Sequence, residues 1–332
     1  MPQDPLNLLP TILNQPEECS DLELRDWDLL IRQARSSYLL PKVAYTLLDN
    51  SHIDHVPQPV IKHLESARIM AEAQARTVRW EARQIKKELS EIDTSVIVLK
   101  GGAYILGNIP AGRGRIFQDL DIMVPRDHLQ NVEKALLMHG WIHIKRDEYD
   151  QAYYRRWMHE LPPMQHFMRK TTLDVHHTIL PLTGPLTPEP DELFIRAQDL
   201  ADHPGLKTLC PEDMVLHSAV HLFHDGELEN GLRDLSDLDT LLKHFSQKEV
   251  FWDSLLDRGH ELGLSRPLFY ALTYSSKILS TPVPAQFLND IRLDRPSRAV
   301  RPLMHLLFTR ALRPDHPSCN TLLTQPARFL LY

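Results

Sequence analysis

The sequence predicts an α+β fold on three observations: residues 1–94 carry apolar side chains at helical spacing, residues 95–180 switch to the period of strands, and residues 181–332 return to helices. Residues 21–49 read as two helices around Pro41. From Pro59 to about Ile92, Ile61, Leu64, Ile69, Ala73, Val78, Ala82, Ile85 and Leu89 keep a helical period over charged partners, which describes one long amphipathic helix. Ser95 to Leu99 is then a short buried strand, Gly101-Gly102 the tight turn after it, and Ala103 to Leu106 the start of a helix. Gln118 to Val124 is a second strand, Arg126 to Met138 a helix closed by Gly140, and Trp141 to Lys145 a third strand. Alternation over 164–168 and 173–179, around the polar Lys170-Thr171-Thr172, predicts a β-hairpin with Asp174 and His176 on one face. The Pro- and Thr-rich 180–190 crosses to helices over 211–223, 231–245, 250–262 and 267–279, and the last fifty residues are short helices punctuated by proline.

A chain of 332 residues accommodates two or three domain-sized units. Its 37 basic and 44 acidic residues, net −7, argue against a surface devoted as a whole to nucleic acid. Cys19, Cys210 and Cys319 are widely spaced and odd in number, so they suggest neither a disulfide framework nor a zinc site, and no disulfide-linked partner is expected. The N-terminal MPQDPLNLLP lacks a basic stretch followed by an apolar one, and no run of about 18 apolar residues occurs, so no membrane partner is expected. These features predict a soluble cytoplasmic protein.

The chemistry concentrates in SVIVLKGGAYILGNIPAGRGRIFQDLDIMV, residues 95–124. Strand alternation points Asp119 and Asp121 to one face, about 7 Å apart, while Leu120 and Ile122 point to the other. Two such carboxylates can bracket one hydrated Mg²⁺, or two metals about 4 Å apart. The backbone N–H groups of Gly101 and Gly102, at the mouth of a helix, are candidates to hold the β- and γ-phosphates of a nucleotide, with Lys100, Arg113 and Arg115 offsetting charge. Asp174, on a strand that can lie beside theirs, would complete the metal cluster and accept a proton from an attacking hydroxyl. The plainer alternative is a salt-bridged strand with Arg113 or Arg115 as partner.

Lys100-Gly101-Gly102, Arg115 four residues before Asp119-Leu120-Asp121-Ile122, and Leu173-Asp174-Val175-His176 together resemble the uncharacterised bacterial nucleotidyltransferase family of the polymerase-β-like superfamily. Asp26-Trp27, the helix from Pro211-Glu212-Asp213 to His221, and Leu232-Arg233 with Asp237 resemble that family's flanks. The resemblance implies a small nucleotidyltransferase core with a mixed β-sheet, flanked by N- and C-terminal helical regions. It also implies Mg²⁺- or Mn²⁺-dependent transfer of NMP from an NTP, ATP foremost, with pyrophosphate released and Asp119, Asp121 and Asp174 as metal-binding and catalytic carboxylates. The acceptor hydroxyl belongs to a small molecule, a protein or RNA. The chain departs from the superfamily where a Gly-Ser is common and Gly101-Gly102 stands instead, which removes a hydroxyl and keeps the backbone donors. Alternatives are a catalytically inactive nucleotide-binding regulatory module and a toxin-like transferase that modifies tRNA or protein.

Other residues are open between chemistry and packing. His176 is a candidate to orient Asp174, or a satisfied structural histidine. His217, His221 and His224, with Asp225 beside them, have helical spacing; the favoured expectation is a helix packed toward the nucleotide cleft, with metal ligation the lesser one. Asp234, Asp237 and Asp239 are expected to be solvated or capping, and Tyr153, Tyr154 and Trp157 to pack.

Overall fold

The computed structural model describes residues 4–49, 52–224, 228–290, 296–320 and 324–331. Four helices lead in: α1 (Leu8–Asn14), α2 (Leu24–Ser36), α3 (Leu40–Asp49) and α4 (Gln58–Glu88). Asp26 caps α2 reciprocally with Glu23, and Trp27 beside it is buried. The central stretch follows as β1 (Ile97–Val98), α5 (Lys100–Leu106), β2 (Asp119–Met123), α6 (Leu129–Met138), β3 (Trp141–His143), α7 (Glu148–Trp157), β4 (Met164–His166) and β5 (Thr172–His176). Next come α8 (Pro190–Arg196), β6 (Gln198–Asp199), β7 (Lys207–Thr208), α9 (Pro211–Phe223), α10 (Gly231–Phe245), α11 (Phe251–Glu261) and α12 (Ser265–Leu279). The end of the chain is α13 (Ala285–Asp290), α14 (Arg301–Ala311) and α15 (Thr324–Leu331).

The strands form one mixed sheet in the order β3-β4-β5-β2-β1-β7-β6. Pairs β2/β5 and β1/β7 are parallel, and the other neighbours are antiparallel, including the hairpin β4/β5. Helices on either side of a mixed sheet make the α+β class. Two strands come from 198–208, so the sheet draws on residues past the expected boundary at 180. One apolar cluster runs from Leu8 and Trp27 through Leu64, Ile97, Ile122 and Val175 to Leu235 and Phe308.

The long helix α4 braces the sheet. Arg169, in the β4/β5 turn, reaches Glu81 at 3.0 Å and Glu88 at 3.1 Å, and its guanidinium lies over the rings of Trp80 and Trp141. The indole N–H of buried Trp141 donates to Glu88 at 2.7 Å. These partly buried, charge-assisted contacts fix the hairpin on the helix. Tyr153 and Trp157, expected to pack, are 41% and 51% exposed on α7, which buries none of its residues. No helix among the described residues is long and apolar enough to cross a membrane, and the three cysteines are free and buried.

Candidate active site

Strands β2 and β5 build the floor of the site. Their parallel register sets Asp121 beside Asp174 and Asp119 beside Thr172. Neighbouring strands lie about 4.8 Å apart, so the three carboxylates share one face of two adjacent strands. Leu120, Ile122, Leu173 and Val175 on the opposite face are buried, and this anchors the register, because a slip of one residue would turn the aspartates into the core.

The glycine pair sits differently from the expectation. Gly101 and Gly102 belong to the first turn of α5, which begins at Lys100, rather than to a turn ahead of the helix. An added Cβ at Gly101 would lie 2.6 Å from Phe117 Cε1, and one at Gly102 would lie 2.6 Å from Leu120 Cδ1. Glycine is needed here for close packing of the helix on β2. The pair still stands at a helix start, where N–H groups have no intrahelical acceptor.

Lys100 has φ +46°, an uncommon conformation for a residue with a side chain. Its ammonium lies 2.9 Å from Asp121 Oδ1, so it serves a carboxylate. The same oxygen receives His176 Nε2 at 3.0 Å. Burial opposes the Asp121 charge, but Lys100 and His176 hold the carboxyl well below its usual range. An ionised carboxylate only accepts, so His176 must carry its proton on Nε2. His176 therefore orients Asp121 and not Asp174. Asp174 is pushed up to about 8 by burial and by the nearby Asp121 and Glu160, and its Oδ1 is buried without a hydrogen-bond partner.

Helix α10 supplies the opposite wall. Arg115 Nη1 lies 2.9 Å from Asp237 and 3.2 Å from Asp234, while Arg233 Nε lies 2.9 Å from Asp234 and Lys42 Nζ 3.4 Å from Asp237. Asp234 and Asp237 are thus buried and paired rather than solvated. Of the two roles open to Arg115, the structure places it on carboxylates, though on those of α10 and not of β2. Arg113 stacks on the Tyr45 ring at 4.7 Å. Asp239 bonds Thr281 and Lys243.

Helix α9 packs on α5 and brings His217 and His221 toward Lys100. Burial, reinforced by Lys100, holds His217 well below the usual histidine range and lowers His221 to about 4, so both are neutral near pH 7. His224 lies past the helix end and is exposed, and Asp225 is outside the described residues. The α9 histidines do not form a metal-binding trio. Asp213 of α9 is instead in a buried two-bond pair with Arg258, at 2.7 and 3.0 Å.

His159 and Glu160 border the site and lack any signal in the sequence. They sit in an irregular segment after α7, and a single bridge pairs Glu160 with His176. Only that long-range pairing brings them in. A cavity of about 200 Å³ opens beside Asp119, lined among others by Phe117, Gln74, Arg169 and Thr171. A larger cavity of about 590 Å³, between α12 and α14, contains none of the site's carboxylates, so size alone does not locate the chemistry.

No curated protein and no solved structure matches the chain. A family model described as "Uncharacterised nucleotidyltransferase" matches residues 23–280, a span that holds the whole sheet and helices α2 to α12. With that match over most of its length, the chain belongs to this family of uncharacterised nucleotidyltransferases and is a transferase enzyme.

Proposed function

We propose that the protein transfers NMP from an NTP to an acceptor hydroxyl, with release of pyrophosphate and dependence on Mg²⁺ or Mn²⁺. The observation that carries this reading is the β2/β5 register, which sets Asp174 next to Asp121 with Asp119 further along the same face. The donor set suits a hard cation, because all three residues offer carboxylate oxygens. Two details agree: Asp174 Oδ1 is buried without a partner, and both bonds to Asp121 fall on Oδ1, so Oδ2 takes part in neither. Asp119, Asp121 and Asp174 would hold the cation, which when bound offsets the charge of the triphosphate and of the departing pyrophosphate.

The chain's own groups do the rest. Lys100 and His176 fix the Asp121 carboxylate. The first-turn N–H groups of Gly101 and Gly102 would receive phosphate oxygens at the start of α5, where the helix dipole favours anions. Arg115 and Arg233 add positive potential near Asp119. Asp174 is the carboxylate in this reading that accepts the hydroxyl proton. The cavity beside Asp119 receives part of a substrate, with Phe117 and Arg169 in its lining.

The test is pyrophosphate release from ATP and the other NTPs with Mg²⁺, offered small-molecule hydroxyls, protein and tRNA as acceptors. Asp119→Asn and Asp121→Asn should each abolish it; turnover unchanged in both variants defeats the assignment.

A further inference from the structure

We propose that His159, Glu160 and His176 form a second metal site, for a divalent ion of the Zn²⁺ class, tied to Asp121 through the imidazole of His176. Each of the three residues offers a ligand atom, and these atoms lie within 4.8 Å of one another. Zinc with bonds of about 2.0–2.2 Å needs tetrahedral ligand spacings near 3.3 Å, so modest side-chain rotation closes the site. The backbone already holds the ligands together. His177 N–H donates to the His159 carbonyl at 2.9 Å, Leu161 N–H donates to the Val175 carbonyl at 2.8 Å, and between them Glu160 faces His176 across an antiparallel bridge.

Two orphaned atoms point to a ligand. His159 is 7% and His176 2% exposed, and the Nδ1 of each is buried without a hydrogen-bond partner. His176 Nδ1 faces Glu160 Oε2 at 3.4 Å, and the two imidazoles stack at 5.2 Å. Because His176 Nε2–H is committed to Asp121, its Nδ1 lone pair is the one left to bind a cation. A carboxylate on one nitrogen and a metal on the other is the arrangement in which a ligating histidine is ordinarily held.

The donor set separates this site from the aspartates. Two imidazoles and a carboxylate suit Zn²⁺, Co²⁺ or Cu²⁺, whereas Mg²⁺ prefers oxygen alone. Three protein ligands leave a fourth position for water or a substrate oxygen. The ion would lock His176 in the tautomer that bonds Asp121, so the site positions a carboxylate of the transfer machinery.

The test uses the full-length protein after chelator treatment, titrated with Co²⁺ and followed by its visible absorption, with Zn²⁺ competition and metal content by mass spectrometry. One equivalent of Co²⁺ should bind in tetrahedral form and be displaced by Zn²⁺. His159→Ala and Glu160→Gln should each weaken binding at least tenfold, Asp121→Asn about 10–100-fold as the carboxylate behind the ligand, and the Asp119→Asn/Asp174→Asn pair should leave it unchanged. His159→Ala loses no hydrogen bond through Nδ1, and its thermal unfolding confirms an intact fold. Binding that survives in His159→Ala and Glu160→Gln, binding that disappears in the Asp119/Asp174 pair, or no stoichiometric Co²⁺ in the wild-type protein would each overturn the proposal. None of these readouts depends on turnover.

Discussion

Arg115→Met separates a structural arginine from a phosphate ligand. The guanidinium lies 3.2 Å from Asp234 and 2.9 Å from Asp237, with only 12% of its side chain exposed and 7% and 4% of theirs. Methionine keeps much of the length and apolar volume but removes the charge, leaving two buried carboxylates short of a partner. Breaking a buried pair in this way costs about 3–5 kcal/mol. Arg233 stays on Asp234 and Lys42 on Asp237, which sets the expectation at the lower end, about 3 kcal/mol. For a chain of this size that corresponds to a fall in Tm of roughly 4 °C. Neutralising the acids first, in Asp234→Asn/Asp237→Asn, removes what Arg115 pairs with, so adding Arg115→Met should then cost less than about 1 kcal/mol. Thermal unfolding followed by circular dichroism, with NTP affinity measured alongside, completes the cycle. A Tm within about 1 °C of wild type with NTP affinity lost would refute the reasoning and make Arg115 a phosphate ligand.

Gly102→Ala places a Cβ 2.6 Å from Leu120 Cδ1 and 3.0 Å from Val98 Cγ1. The overpacking cost of about 1–3 kcal/mol exceeds the helix gain of about 1, and Leu120 lies between Asp119 and Asp121, so turnover should fall about tenfold or more while urea unfolding shows a loss near 1 kcal/mol. Asp213→Asn takes from the fully buried Arg258 its buried carboxylate partner and leaves it the more exposed Glu261 and Glu192, so it should cost about 3 kcal/mol in urea, with much of that recovered in Asp213→Leu/Arg258→Met. Glu133 is drawn down to about 2, against burial, by hydrogen bonds from His143 and Arg155. A depressed carboxyl stabilises the fold above its usual 4.5 and loses that contribution as pH falls toward 2; Glu133→Gln should therefore cost about 1–2 kcal/mol at pH 7 and flatten the acid limb of the stability curve.

What local patterns could reveal follows from their range. The period-two alternation of Asp119 and Asp121 against Leu120 and Ile122 is a property of one strand, and β2 has it. The hairpin β4/β5 and the long helix α4 are also local, and their expected positions hold to within a few residues. The parallel pairing of β2 with β5 joins residues more than fifty apart, so local pattern offers the neighbourhood of the two strands only as a possibility and says nothing of their direction. Nothing in the spacing of Arg115 shows that its partners are on α10, 119 residues later, since an arginine in a glycine-rich connection reads equally as a phosphate contact. Gly101-Gly102 misled for a different reason. Glycine marks both sharp turns and close packing, and here Phe117 and Leu120, neither of them a sequence neighbour, decide for packing.

Lys100 links the strain of the site to its charge. A side chain at φ +46° costs of order 1–2 kcal/mol, which glycine would avoid. The same backbone turn starts α5 and aims the ammonium at Asp121, so the lysine persists because its charge is needed where the conformation is worst for it. It does not suffice. Asp119, Asp121, Asp174 and Glu160 crowd the strand side, where Lys100 bonds Asp121, whereas on the α10 side Arg115 and Arg233 balance Asp234 and Asp237. The excess negative charge therefore faces β2 and β5. A cation drawn to that side would arrive ahead of a triphosphate, whose own charge the bare carboxylates repel, and this predicts an ordered binding in which NTP affinity rises with occupancy of the strand-side carboxylates. Calorimetric titration of NTP at increasing Mg²⁺ should show that dependence, and Asp174→Asn, which removes one of the proposed cation ligands, should weaken it.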